Sequence, residues 1–358
     1  MQLSSRINPD FWRGRRVLLT GHTGFKGAWM TLLLEGMGAK IIGVSLPPNT
    51  SPSLYEIIGP HVTLKSISCD IRETKKLTEV VAEADPEIVI HMAAQALVRE
   101  SYHKPVDTIE ANVMGTVYLL EALRSSPNLE AVLVITSDKV YLNHNDGIAM
   151  TEKSPLGGHD PYSASKAAAE IVTAAYAKSF FSEKGIPLCT ARAGNVIGGG
   201  DWAKDRLIPD LWRAYTNGEK LELRYPEAVR PWQHVLDPIY GYLFYVQHMV
   251  QSPTLFSHAL NFGPSGKVVR TTLDLAEGFA HFLDTSPFWS IRKPNEQLAE
   301  STFLSIDSTL AELHIGWRPR LGVDQAILWT CEWYKAFRDG VDMVEFTCKQ
   351  LDLYHQLA

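Results

Sequence analysis

At 358 residues, 45% of them hydrophobic and 21% charged, the chain has the size and composition of a globular protein of one large or two ordinary domains. A formal net charge of -6 with no basic run excludes a nucleic-acid-binding surface, and the longest apolar run, Ile239 to Val246, is far too short to span a bilayer. Four scattered cysteines with no C-x-x-C pair, and a start without an apolar signal core, predict a cytoplasmic protein without a structural metal.

In chain order, Val17 to Leu19 read as a buried strand and Phe25 to Gly38 as the helix that follows. Between them Gly21, Gly24 and Gly27 are spaced G-x-x-G-x-x-G. Glycine there permits the turn out of the strand, the approach of a pyrophosphate and the packing of helix on sheet, while free N–H groups at the helix start face an anion. The stretch reads as a dinucleotide cradle. Lys40 to Ser45 is the second strand, and Ser45 stands where an acid would bind a ribose 2′-OH; no Arg or Lys from Ser45 to Tyr55 would hold a 2′-phosphate, so NAD is favoured over NADP. Leu64 to Asp70 is a third strand, with Asp70 either at the ligand-binding edge or capping a helix from Arg72. Glu87 to Ala94 is a fourth, ending in small residues, with His91 read as a packed strand residue. A helix near Val106 to Leu123 carries Asn112, either a solvent-facing residue or a functional one.

The fifth strand, from Glu130, runs straight into Thr136-Ser137-Asp138-Lys139-Val-Tyr141, polar residues at the carboxyl end of a central strand. Asp160 and Pro161 then open a long alanine-rich helix in which Tyr162 and Lys166, at i and i+4, share a face. Of 13 tyrosines only this one has Lys four residues on. Pro187 to Gly198 is a sixth strand, followed by a flexible break at Gly198-Gly-Gly-Asp201. Beyond it Val235 to Gln251 reads as a helix, His258 to Gly263 as one further strand, and Thr272 to Leu283, Ser308 to Ile315 and Val323 to Asp339 as the remaining helices. The pattern predicts an α/β protein: a Rossmann-type doubly wound parallel sheet over 1–198 with a return segment at about 235–263, and a smaller mixed α/β domain over 199–234 and 264–358 that completes a cleft.

Thr20-Gly-His-Thr-Gly-Phe-Lys-Gly27, His91-Met-Ala-Ala94, Tyr162-x-x-x-Lys166 and Arg192-Ala-Gly-Asn195, in that order over nearly the whole chain, resemble the extended short-chain dehydrogenase/reductases. Within that family Gly21 to Gly27, Thr136 to Tyr141 and Arg230-Pro-Trp-Gln-His-Val-Leu-Asp237 look most like a sugar-nucleotide 4,6-dehydratase acting on CDP-glucose in deoxysugar synthesis. The resemblance implies that Ser137, Tyr162 and Lys166 carry hydride transfer. Asp138 would be the acid that dehydratases have and epimerases lack. Lys139 stands where dTDP-glucose relatives have a glutamate base, and so would be either the C5 base or a cation holding the enolate. Cofactor contacts are implied for Gly21, Thr23, Gly24, Phe25, Lys26, Gly27, Ser45, Asp70, Ile71, Ala93, Ala94 and Asn112 besides Tyr162 and Lys166. Substrate contacts are implied for Gln95, Asn195, Arg206, Leu223, Tyr225 and Arg230, with Asn195 and Arg230 on the diphosphate.

Other readings are a dehydratase for dTDP-glucose or UDP-N-acetylglucosamine, a sugar-nucleotide epimerase, and a non-enzymatic NAD(P)-sensing module. Small residues from Ala167 to Ala177 and Leu and Val from Val113 to Leu123 also predict a homodimer, or a dimer of dimers, through an intermolecular four-helix bundle.

Overall fold

The computed structural model describes residues 7–253, 258–264, 270–292 and 301–357. Seven strands form one sheet: β1 (Arg16–Thr20), β2 (Lys40–Ser45), β3 (Lys65–Ser68), β4 (Ile88–His91), β5 (Ala131–Ile135), β6 (Leu188–Ala193) and β7 (Ala259–Phe262). Every pairing is parallel, in the spatial order 3-2-1-4-5-6-7. The inner strands β4, β5 and β6 are buried at every residue, as a parallel sheet covered on both faces requires. Because the order reverses between β1 and β4, their carboxyl ends diverge and leave a crevice where such sheets bind ligands.

The helices sort by what they cover. α1 (Phe25–Gly36) starts at Gly24 with no side-chain cap, leaving its first N–H groups open toward the crevice. α2 (Thr74–Ala84) and α3 (Gly115–Leu123) cover the opposite face, burying Leu77, Val81, Leu119, Leu120 and Leu123 against Leu18, Val44 and Val89. α3 continues a run that begins at Pro105–Ile109 and passes through a π turn, Glu110–Met114. α4 (Pro161–Tyr176) begins as its sequence signals, with Asp160 Oδ1 accepting the Ser163 N–H at 2.9 Å.

The longer of the remaining described helices are α5 (Leu207–Asn217), α6 (Leu236–Gln251), α7 (Thr272–Phe282), α8 (Val323–Arg338) and α9 (Met343–Gln356), with Thr309–Ile315 a short one between α7 and α8. Two of them, α5 and α9, go beyond the helices expected from the sequence pattern, although Asp342 caps α9 by accepting from Val344 and Glu345 N–H. One apolar cluster runs without a break from Val17, Leu19 and Trp29 through Tyr242 and Phe262 to Trp333 and Tyr334, so the C-terminal helices share a core with the sheet. The glycine run at Gly198 is accordingly no flexible break. A Cβ on Gly199 would lie 1.9 Å from Trp333 Cγ, and the Gly199 carbonyl accepts the Trp29 indole N–H at 3.0 Å. Glycine is there because two layers meet at backbone distance. Three short ribbons rim the crevice beyond β6, pairing Val196–Ile197 with Gln233–His234, Val229–Arg230 with Arg270–Thr271, and Leu221–Leu223 with Trp289–Ile291.

Candidate active site

The crevice is a cavity of about 1270 Å³. At its sheet end the three glycines have different reasons to be glycine. Gly21 turns with φ +77°, and a Cβ there would meet the Ala93 amide nitrogen at 2.7 Å. A Cβ on Gly27 would lie 2.1 Å from the Gly21 carbonyl oxygen. On Gly24 the nearest protein atom would be 3.4 Å away, an ordinary contact. Gly24 faces the cavity, so what glycine makes room for there is a ligand. That open backbone at a helix start fits the diphosphate of a dinucleotide. Thr23 Oγ1 is 2.7 Å from Ser45 Oγ and donates to the Leu46 carbonyl, which fixes Ser45 at the end of β2.

Asp70 and Ile71 follow β3 and line the same wall. Asp70 also caps locally, accepting the Arg72 N–H at 2.9 Å and the Arg72 guanidinium at 2.7 Å, an ion pair that holds its carboxyl below the usual range. Arg72 itself lines the cavity, a cation outside the stretch from Ser45 to Tyr55. It is bound to Asp70 and lies 3.7 Å from both Asp107 and Glu110, so three carboxylates already compensate it.

The carboxyl ends of β4 and β5 supply the reactive groups. His91 is buried between Thr20 and Thr116 hydroxyls at 2.7 and 3.1 Å, and burial, with Lys166 nearby, pulls its pKa down to about 3. It is a neutral packing residue. After β5 the chain makes a tight 3₁₀ turn, Asp138–Val140, capped by Ser137, whose Oγ accepts the Lys139 N–H at 3.2 Å and donates to Asp138 Oδ1 at 3.0 Å. Ser137 also stands near the Tyr162 hydroxyl and draws its pKa down. Lys166, one turn along α4 from Tyr162, donates to the Ile135 carbonyl at 3.1 Å. Lys139 lines the cavity half-buried.

Burial governs the protonation of this cluster. It pushes Tyr162 up to about 12, with Ser137 and Arg206 pulling the other way, and it pulls Lys166 down to about 8 against the attraction of Glu170. Lys26, in the first turn of α1, is pulled down to about 8 by burial, then by Arg206; Asp138 opposes this and Lys166 adds to it. Desolvation of the phenolate dominates at Tyr162, and the Lys166 ammonium is turned to a backbone carbonyl.

Every implied site residue lines this cavity except Asn112. Asn112, 2% exposed in the π turn, stands behind the wall and acts as a backbone clasp. Its Oδ1 accepts the Gln95 N–H at 2.8 Å, and its Nδ2 donates to the Gln95 carbonyl and to Ser165 Oγ. It thereby ties the loop after β4 to the helix that bears Tyr162. The Gln95 amide is itself engaged by Leu97 and Thr108, which leaves Gln95 to meet the cavity mainly through its backbone. At the far end Arg206 pairs with Asp201 at 2.8 Å, Leu223 is buried, and Asn195, Tyr225 and Arg230 line the wall. Arg224 and Arg292, which sequence patterns alone do not single out, join them there.

A second feature escapes linear reading. Glu170, buried on α4 one turn past Lys166, accepts from Thr136, from Thr190 at 2.7 Å and from Arg192 at 2.7 Å. Arg192 donates on to the Tyr141 hydroxyl at 2.9 Å, and Tyr141 donates to Asn261 at 2.6 Å. The residues flanking Ser137-Asp138-Lys139 are thus pinned from below by one polar chain. Among the described residues no group of three or more His, Cys, Asp or Glu side chains is disposed to hold a metal.

A model of the NAD dependent epimerase/dehydratase family matches residues 17–261. The chain belongs to that family. It is 42% identical over 353 residues to a CDP-glucose 4,6-dehydratase of Salmonella typhimurium, covering 97% of this chain and 98% of that one. Among solved structures, the dTDP-glucose 4,6-dehydratase of Bacillus anthracis in complex with NAD aligns with a TM-score of 0.76 at 23% identity, over 91% of this chain and 98% of that one. A UDP-glucose 4-epimerase of Stenotrophomonas maltophilia aligns with 0.78 at 21%, over 91% and 99%. The epimerase/dehydratase fold thus serves both reactions equally well, and the choice between them falls to the side chains in the cavity.

Proposed function

We propose that the protein is a CDP-glucose 4,6-dehydratase with NAD as its cofactor, converting CDP-D-glucose to CDP-4-keto-6-deoxy-D-glucose and water. The observation that carries this is a carboxyl, Asp138, set beside the Ser137–Tyr162 pair in one cavity, in a chain that matches a CDP-glucose 4,6-dehydratase over nearly its full length. An epimerase needs only the hydride-transfer set; a dehydratase also needs an acid for the C6 hydroxyl.

The chain's own residues divide the work as follows. Gly21, Gly24 and Gly27, with the open N–H groups of α1, seat the cofactor diphosphate, and Ser45 meets the adenosine ribose. NAD held there would supply a reversible hydride acceptor for the C4 to C6 transfer. Tyr162, steadied by Ser137, removes the 4-OH proton, and the C4 ketone acidifies C5. Lys139 serves C5, as the neutral base or as a cation beside the enolate. Asp138 protonates O6 as the C6–O bond breaks. At the other end the guanidiniums of Arg206, Arg224, Arg230 and Arg292 line the cavity, three of them held by Asp201, Asp205 and Glu222, and offer donors suited to a nucleoside diphosphate, with Asn195 beside them.

Arg206, Leu223, Tyr225, Arg230 and Arg292 fall within the segments 199–234 and 264–358 assigned to the substrate side, and the gathering of the named residues in one cavity supports the catalytic and ligand roles given above. Four free cysteines fit a reducing, cytoplasmic setting, and no described helix is long and apolar enough to cross a membrane.

Incubation with CDP-D-glucose and NAD tests the reading. The expected product is a 4-keto-6-deoxy sugar nucleotide that absorbs in base, formed without net reduction of added NAD. Turnover of dTDP-glucose in preference to CDP-glucose would move the nucleotide assignment, and interconversion of CDP-glucose with its C4 epimer would overturn the dehydratase reading.

A further inference from the structure

Two buried polar atoms beneath the reaction centre have no hydrogen-bond partner. One is Oδ2 of Asp138, a residue 2% exposed whose other oxygen is held by Ser137 at 3.0 Å. The other is the hydroxyl of Tyr242, a residue with no exposed surface in the first half of α6. α6 packs directly on β5, the strand that delivers Ser137 and Asp138. Asp138 and Tyr162 are the ionisable groups near enough for their charge to act on the Tyr242 hydroxyl.

Packing holds this tyrosine in place. Its ring meets Phe262 edge-on at 5.4 Å, and the helix backbone beside it touches the same ring: a Cβ on Gly241 would lie 2.3 Å from Phe262 Cδ1. A phenylalanine would satisfy every apolar contact there. Burying an unpaired hydroxyl is unfavourable, and so is leaving a carboxylate oxygen without a donor in a dry site. A single hydrogen bond between the two relieves both.

We propose that Tyr242 is a positioning residue for Asp138, its hydroxyl hydrogen-bonding Oδ2 directly or across one bridging water and aiming the carboxyl at the C6 hydroxyl of the substrate. The proposal rests on the dehydratase reading. In the elimination the C5 proton passes to neutral Lys139, or to water where Lys139 is the cation beside the enolate. The C5–H electron pair becomes the C5=C6 π bond, the C6–O pair leaves on O6, and the Asp138 proton passes to O6 so that water leaves. Asp138 is left as a carboxylate. A phenol O–H on Oδ2 stabilises that carboxylate as it forms and keeps Oδ1 and Oδ2 from exchanging places. Tyr242 touches neither substrate nor cofactor in this scheme, and the C4 oxidation does not involve it.

Tyr242→Phe tests the proposal against the parent protein with CDP-glucose and NAD in single turnover. Oxidation at C4 should proceed at the parent rate, while elimination slows about tenfold or more, the effect of one hydrogen bond. Mass spectrometry should then find a 4-ketohexose that has kept its C6 oxygen. KM for CDP-glucose should stay within about twofold, and adding Tyr242→Phe to Asp138→Asn should cost nothing further. Equal slowing of both steps would show a merely structural role and overturn the proposal, as would unchanged turnover. Failure of Tyr242→Phe to fold would also overturn it, since the hydroxyl would then serve the fold rather than the elimination. If the parent itself made no 4-keto product, the dehydratase reading would fail before this variant was compared.

Discussion

Tyr162, Lys166 and Glu170 follow one another at i, i+4 and i+8 along α4, so one helical face presents a reactive phenol, its lysine and the carboxylate that anchors the layer beneath. The neighbouring turn is held as firmly, because Thr136 and Tyr141 on either side of Asp138 both reach the Glu170–Arg192 pair. A substitution at Asp138 can therefore be read chemically. Asp138→Asn keeps an acceptor for Ser137 but has no proton to give to O6. Oxidation at C4 should survive, while loss of water falls by about 10²-fold or more, as expected for removing a general acid. The check is a stalled mixture in which a 4-ketohexose retaining O6 accompanies stoichiometric reduced cofactor. Absence of any oxidation would assign Asp138 to the first step instead.

Two elements make separable predictions. In the β1–α1 turn, Gly27→Ala forces a Cβ to within 2.1 Å of the Gly21 carbonyl and should destabilise the protein by about 3 kcal/mol or more. Gly24→Ala meets only an ordinary 3.4 Å contact, so its melting temperature should be nearly that of the parent while NAD affinity drops at least tenfold. Calorimetric binding beside thermal melts separates the two; equal melting temperatures would refute the packing argument. On α6, Asp237 is buried and accepts from the Tyr354 hydroxyl at 2.6 Å and the Arg320 N–H at 2.7 Å, joining α9 and the 316–321 loop to that helix. Burial pushes its carboxyl up to about 6 from 3.8. An acid raised on folding holds its proton longer in the native state, so its cost is absent below about pH 4 and fully present above about pH 6. Two pKa units correspond to about 3 kcal/mol. Asp237→Asn keeps the accepting oxygen without the charge, so the variant should be the more stable protein at pH 8, with the gap shrinking as pH falls from 6 toward 4. A gap that widened on acidification would reverse the sign of the argument.

For the whole molecule, we propose that the protein is a homodimer through the helices around α4. Val106, Ile109 and Ile171 are 66%, 46% and 59% exposed on helices that pack side by side, and large aliphatic side chains grouped this way mark an interface. The leucines of the Val113 to Leu123 stretch, which helical spacing brings forward for this role, point inward instead: Leu119, Leu120 and Leu123 belong to the core beneath the sheet. Ile171→Glu should convert the dimer to monomer at micromolar concentration by light scattering, leaving the fold intact by circular dichroism. A parent protein already monomeric under those conditions would refute the proposal.

Local patterns alone suffice for the inner strands of the sheet and for the polar residues that gather at its edge. Continuous apolar runs mark β1, β4, β5 and β6, glycine spacing marks the cradle, and pairing Tyr162 with Lys166 needs only the 3.6-residue period of a helix. All of these are short-range consequences of backbone geometry, so they are written in neighbouring residues. What joins distant segments is not written there. Gly199 reads as a flexible break because nothing nearby in the chain announces that Trp333 will lie on it. Asn112 reads as a surface residue or a ligand contact, because its partners are the Gln95 backbone and Ser165. Arg72, Arg224 and Arg292 come to the cavity from loops whose course depends on the packed layers, and Glu170 meets Arg192 and Tyr141 only once three elements have closed on one another. Spacing along the chain determines which side chains share a face; which faces meet is decided by burial of the whole apolar surface at once, and that is a property of the folded molecule alone.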